Sequence, residues 1–187
     1  MNHHRLILSC WLILIFCTSA AAYDIQKGIH GMNWGSSISQ YDELAKVHET
    51  GPAAFYINSN MSYETASQPI PAVFYGFYKG QLFAVFIKLR SPDQFTHLER
   101  QFNAKYGKAK IVYQAANRQT VYRWKDGDVK VKLKMKASPT EYKLAFYYSP
   151  LAEHLNQEQL EQIPDDVLES SPSRKGKAVK SAPLLDN

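Results

Sequence analysis

Lys130, Lys132, Lys134 and Lys136 alternate with Val129, Val131, Leu133 and Met135, the pattern of a strand with one wet and one dry side. Arg123 and Lys125 stand just before Asp126-Gly127, a dipeptide suited to a hairpin turn. Folded back on itself, this segment sets six cations on one sheet face, about 7 Å apart along each strand. Like charges that close repel, so the face calls for a counter-charge or full solvation. The chemistry it could do is binding, to an anionic envelope component (lipopolysaccharide, anionic lipid, a cell-wall polymer) or to an acidic envelope protein. The other reading is that these lysines keep an exposed sheet from pairing with another chain. Tyr56, Tyr63, Tyr78, Tyr113 and Tyr147 make a second candidate, since aromatics mixed with lysines can form a carbohydrate or peptide platform. Tyrosine is also common on sheet surfaces for its strand propensity alone.

Catalytic patterns are missing. His30, His48, His97 and His154 stand far apart in the sequence, and no His-Glu-x-x-His occurs, so no compact zinc motif is present. Ser36-Ser37 lacks the glycine-flanked elbow of a nucleophilic serine and sits where a capping serine is expected. Asp42-Glu43 and Asp126 with Asp128 are the close carboxylate sets, and nothing selects either as an acid/base pair. No glycine cluster precedes a lysine in the order of a phosphate loop. No catalytic residue, metal ligand or cofactor is assigned. The alternative to a binding module is a small periplasmic hydrolase whose residues converge from loops, around His30, Trp34 and His48.

The first 22 residues read as a signal peptide: Arg5, an apolar run from Leu6 to Phe16, then Ala20-Ala21-Ala22 before a mature start at Tyr23. Cys10 and Cys17 both fall inside it, and neither has the surroundings of a lipidated cysteine. The mature chain is therefore cysteine-free, and at about 165 residues it is long enough to bury a core without disulfides. This fits a bacterial periplasmic or secreted protein better than a eukaryotic secretory route, although Asn60-Met61-Ser62 is formally a sequon. Losing Arg5 leaves 21 basic and 17 acidic residues. That modest excess, with the export signal, argues against nucleic acid as a partner. No later segment is long and apolar enough to span a membrane.

Around the lysine strand, the densest apolar stretch is Val73 to Tyr78, Lys79-Gly80, then Gln81 to Leu89. It predicts a central hairpin with apolar residues on both faces. Ser91-Pro92 opens a helix whose Phe95, Leu98, Phe102 and Tyr106 form one stripe, closed by Gly107. Ser36 or Ser37 caps a second predicted helix, Ile38 to Lys46, and Ser149-Pro150 opens a third that runs to Ile163. Phe55 to Ile57, Ile111 to Tyr113, Thr120 to Lys125, Asp128 to Lys136 and Glu141 to Tyr148 read as strands. Asn58 to Pro71 reads as turn and loop. With Asp126-Gly127 as the turn, Trp124 would face Val129 and Tyr122 would face Val131. The expected fold is a single α+β domain over residues 23–163, an antiparallel sheet of about six strands with two or three helices packed mainly on one face. A disordered basic tail, 164–187, would follow.

The phrase Gly31-Met32-Asn33-Trp34-Gly35-Ser36-Ser37-Ile38-Ser39, then Tyr75-Gly76-Phe77-Tyr78-Lys79-Gly80-Gln81-Leu82, Phe102-Asn103-Ala104-Lys105-Tyr106-Gly107-Lys108 and Tyr122-Arg123-Trp124, resembles a group of small exported bacterial α+β proteins of unknown function. The likeness covers roughly residues 28 to 148 and rests on structural glycines and aromatics. It implies an exported domain and brings no catalytic residues with it. A looser similarity links the chain to outer-membrane assembly lipoproteins, from which it departs in lacking the lipid-anchor cysteine.

Overall fold

Residues 24–155 and 180–185 are described by the computed structural model. The expected signal peptide, the part of the third predicted helix beyond Leu155 and most of the expected tail lie outside them. Val73 to Leu89 does form the central hairpin: β7 (Ala72–Tyr78) and β8 (Gln81–Leu89) join through Lys79 and Gly80, at φ +48° and +79°. Both turn residues are left-handed, the conformation whose twist matches a two-residue hairpin. Outside β7 lie β4 (Ala53–Asn58) and then β3 (Leu44–Thr50). A second meander comprises β9 (Lys110–Gln114), β10 (Gln119–Asp126), β11 (Val129–Ala137) and β12 (Thr140–Tyr148). It returns so that β12 docks antiparallel on β8, from Leu89↔Tyr142 to Ala84↔Tyr147. The result is one eight-stranded sheet in the order β3-β4-β7-β8-β12-β11-β10-β9.

Each face of the sheet carries its own apolar layer. On one face α1 (Pro92–Tyr106) lays Phe95, Leu98 and Phe102 over Val85, Ile87, Val131, Leu133, Leu144 and Phe146. Ser91 Oγ accepts the Gln94 N–H at 3.3 Å, as expected of the cap. Buried Gln94 accepts the Arg90 N–H (2.7 Å) and donates to the carbonyl of Gln68 (3.2 Å), which fixes the helix start to the neighbouring layer. That layer is built by β1 (Gly28–Ile29) with β2 (Met32–Asn33), and by β5 (Met61–Thr65), β6 (Gln68–Pro69) and β13 (Lys180–Pro183) in the order β13-β5-β6. On the other face α2 (Ser149–Ala152) and Leu155 cover Phe55, Phe74, Phe83, Ala84 and Tyr147.

The α+β architecture with a six-strand sheet and helices on one face is thus corrected. The protein is mostly β, the main sheet has eight strands, and α1 is the one extended helix among the described residues. The two Ser-Pro starts lie on opposite faces. Ile38–Gln40 is only a 3-10 turn capped by Ser37, after which Leu44–Thr50 pairs with β4. A helical spacing of apolar residues there yields to the gain from covering an otherwise open strand. Asn58 to Pro71 holds β5 and β6, turned by Ala66 and Ser67 at φ +50° and +55°. Lys180–Pro183, placed in the disordered tail by composition, pairs parallel with β5. The β10–β11 turn is Gly127-Asp128, so Trp124 faces Val131 and Tyr122 faces Leu133. This two-residue shift leaves every side chain on its expected face.

Between β7 and β8 the register steps from Gly76↔Ala84 to Phe77↔Leu82, which leaves Phe83 as a bulge. Its ring lies across Gly76, where a Cβ would stand 2.9 Å from Phe83 Cε1 and 3.2 Å from Phe86 Cε2. Gly76→Val should therefore destabilise the protein by about 1–3 kcal/mol through overpacking, read as a lowered urea midpoint with unchanged m-value.

Candidate functional site

Of the expected cations, Lys130, Lys132, Lys134 and Lys136 share the face opposite α1, because Val129, Val131 and Leu133 take the α1 side. Arg123 stands directly across from Lys132, and Lys125 from Lys130. The structure adds two cations that the hairpin pattern did not single out. Lys143 lies opposite Lys134, and Lys88 lies opposite Lys143, giving a row of three ammonium groups across β8, β12 and β11. Strand spacing puts successive members about 5 Å apart at the backbone. Alternation along β12 could have placed Lys143 on this face, but Lys88 depends on the β8–β12 pairing, for which no local signal exists.

Carboxylates offset part of this charge. Lys130 Nζ meets Glu153 Oε1 at 3.1 Å, and Lys143 Nζ meets Glu141 Oε2 at 3.2 Å. Lys132 Nζ sits 4.7 Å from the centroid of the Tyr147 ring, a cation–π contact. Among the described residues Lys88, Arg123, Lys125 and Lys136 form no ion pair. Arg123 Nε is shielded from solvent and has no hydrogen-bond partner among the described residues. Val121, on the same face and opposite Lys134, is only 1% exposed. The long lysine and arginine stems around it can supply such cover while their heads reach solvent. The tyrosine platform does not assemble: Tyr63 and Tyr147 are buried, Tyr56 and Tyr78 half-buried, and Tyr113 is exposed on β9.

His30, Trp34 and His48 do not converge. His48 packs on Phe55 in the α2-side layer, and Trp34 donates Nε1–H to the Ile25 carbonyl at 2.7 Å. His30 is held in the opposite layer, stacked on Tyr63 with ring centroids 3.9 Å apart. The Leu184 carbonyl can only accept, so His30 Nε2–H donates to it at 3.1 Å. Nδ1 of the neutral ring then accepts from the Tyr75 hydroxyl (3.0 Å), which in turn accepts from Tyr63 (2.9 Å). Burial lowers the imidazole pKa to about 4, partly offset by the bond to Leu184. This is a structural clasp holding β13 in place. Among the described residues no three of His, Cys, Asp and Glu gather where a metal ion could be held.

Because the folded ring resists a proton that the unfolded ring accepts, the clasp contributes stability in full above about pH 6.5 and loses it as pH falls to about 4. The loss should be about 2–3 kcal/mol. His30→Gln, which cannot titrate, should show a shallower decline over that window when urea midpoints are compared; parallel curves would remove His30 as the cause. Comparison with protein-family models, curated proteins and solved structures finds no match to the chain.

Proposed function

We propose that the protein is a non-catalytic binding module whose lysine face takes an anionic component of the bacterial envelope, a phosphate- or carboxylate-rich polymer or lipid surface. The observation that carries this reading is the direct cross-strand opposition of cations: Lys88, Lys143 and Lys134 in one row, Arg123 with Lys132 and Lys125 with Lys130 in the next rows. Directly opposed like charges cost stability. A face that needed only to stay wet could intersperse the two signs at no such cost. Nor do the lysines guard an open edge, since β11 is paired on both sides. The export signal read in the sequence supports the choice of compartment. The hydrolase reading has no comparable support, because His30 and His48 lie in opposite layers.

Lys130→Gln, Lys132→Gln and Lys134→Gln together should weaken co-sedimentation with vesicles of anionic lipid by about a hundredfold, taking about 1 kcal/mol per lysine at such a surface. The same triple variant should flatten the salt dependence of retention on lipopolysaccharide. Lys88→Gln with Lys143→Gln should do likewise. Unchanged retention of all three proteins at low salt would refute the reading.

A further inference from the structure

The two outer strands of the main sheet are built differently. β3 is broken by a register shift between Lys46 and His48 and carries the Lys46–Glu49 ion pair at 2.6 Å. A bulge and charges are how an open edge is kept from pairing with another chain. β9 is less protected: Lys-Ile-Val-Tyr-Gln pairs with β10 without a register shift, and Lys110 is its one charge. Among the described residues no strand lies beyond it. It also bears the exposed large hydrophobics of the described structure, Ile111 at 58% and Tyr113 at 64%. Both point to the α1 side, opposite Tyr122 and Thr120 of β10.

We infer that the β9 edge is an interface for a second copy of this chain, the two β9 strands pairing antiparallel about a two-fold axis at Val112. Three features of the strand's own sequence favour a second copy over an unrelated extended peptide. Centring on Val112 is the alignment that uses all five residues. It sets Ile111 of each copy against Tyr113 of the other, a β-branched–aromatic pair formed twice that covers the apolar groups left exposed. It also sets Lys110 against Gln114, so no like charges meet along the seam. A two-fold axis normal to the sheet keeps the lysine faces of both copies on one side. The pairing does not depend on what those faces bind.

A five-residue seam buries less than the roughly 1,200 Å² of standard interfaces, so a dissociation constant on the order of 100 µM is expected. The test is sedimentation velocity over a hundredfold concentration range on protein recovered after expressing the full chain in a bacterial host. Wild type should pass reversibly from monomer to dimer. Ile111→Lys with Tyr113→Lys, which opposes lysines across the seam, should weaken association by about tenfold or more. Ile111→Lys with Tyr113→Glu should restore it in a salt-sensitive way, because the register places position 111 against position 113. Both positions are exposed, and circular dichroism should show all three proteins folded alike. A wild type that stays monomeric, a double-lysine variant that still dimerises, or a Lys/Glu variant no better than the double-lysine one would each overturn the inference. So would a monomer that instead captures unrelated strand peptides.

Discussion

The pairing of β8 with β12 is the constraint on which the molecule depends. It is the one place where the two four-stranded meanders hydrogen-bond to each other, and it joins segments more than fifty residues apart in the chain. Such a closure costs chain entropy before any contact is gained. The return lies in what the seam brings together on both faces. On one, Val85 and Ile87 meet Leu144 and Phe146 under α1; on the other, Ala84 and Phe86 meet Ala145 and Tyr147 under α2. The same seam sets Lys88 against Lys143. One interaction therefore closes two apolar layers and assembles the cationic row.

That double role explains why the basic face is divided. Toward β7 and β4 it is apolar, roofed by Ala152 and Leu155; toward β11 and β10 it is cationic. Tyr147 stands at the boundary, buried against Phe86 and beneath the Lys132 ammonium. Packing on the apolar half fixes the strand spacing, and so fixes how closely the ammonium groups on the other half must approach. The charge arrangement is imposed by the sheet and would relax only if the sheet came apart.

Much of this was legible in local pattern. Alternation in Val129–Ala137 gave the lysine face, the apolar density of Ala72–Leu89 gave the central hairpin, and Ser91-Pro92 with Phe95, Leu98 and Phe102 gave α1 and its buried side. What could not be read has a physical cause in each case. Ile38 to Lys46 has helical spacing, yet an open strand beside it is covered by making Leu44–Thr50 extended. Ala66 and Ser67 adopt left-handed turn conformations with no glycine to announce them. Lys88 joins the cationic row only through a pairing set by distant segments, and the polar composition around Lys180 hides a strand whose partner, β5, is more than a hundred residues away.

The His30 clasp carries a consequence for the order of events as the chain is made. His30 belongs to the first small hairpin, and the carbonyl it holds belongs to Leu184, 154 residues further along the chain. The layer it completes also contains Ile25, Met32 and Tyr63, all made early. Those side chains stay without their final cover until Leu184 has left the ribosome. A layer whose closing residue follows so far behind the residues it covers leaves apolar side chains uncovered for the whole interval of chain between them.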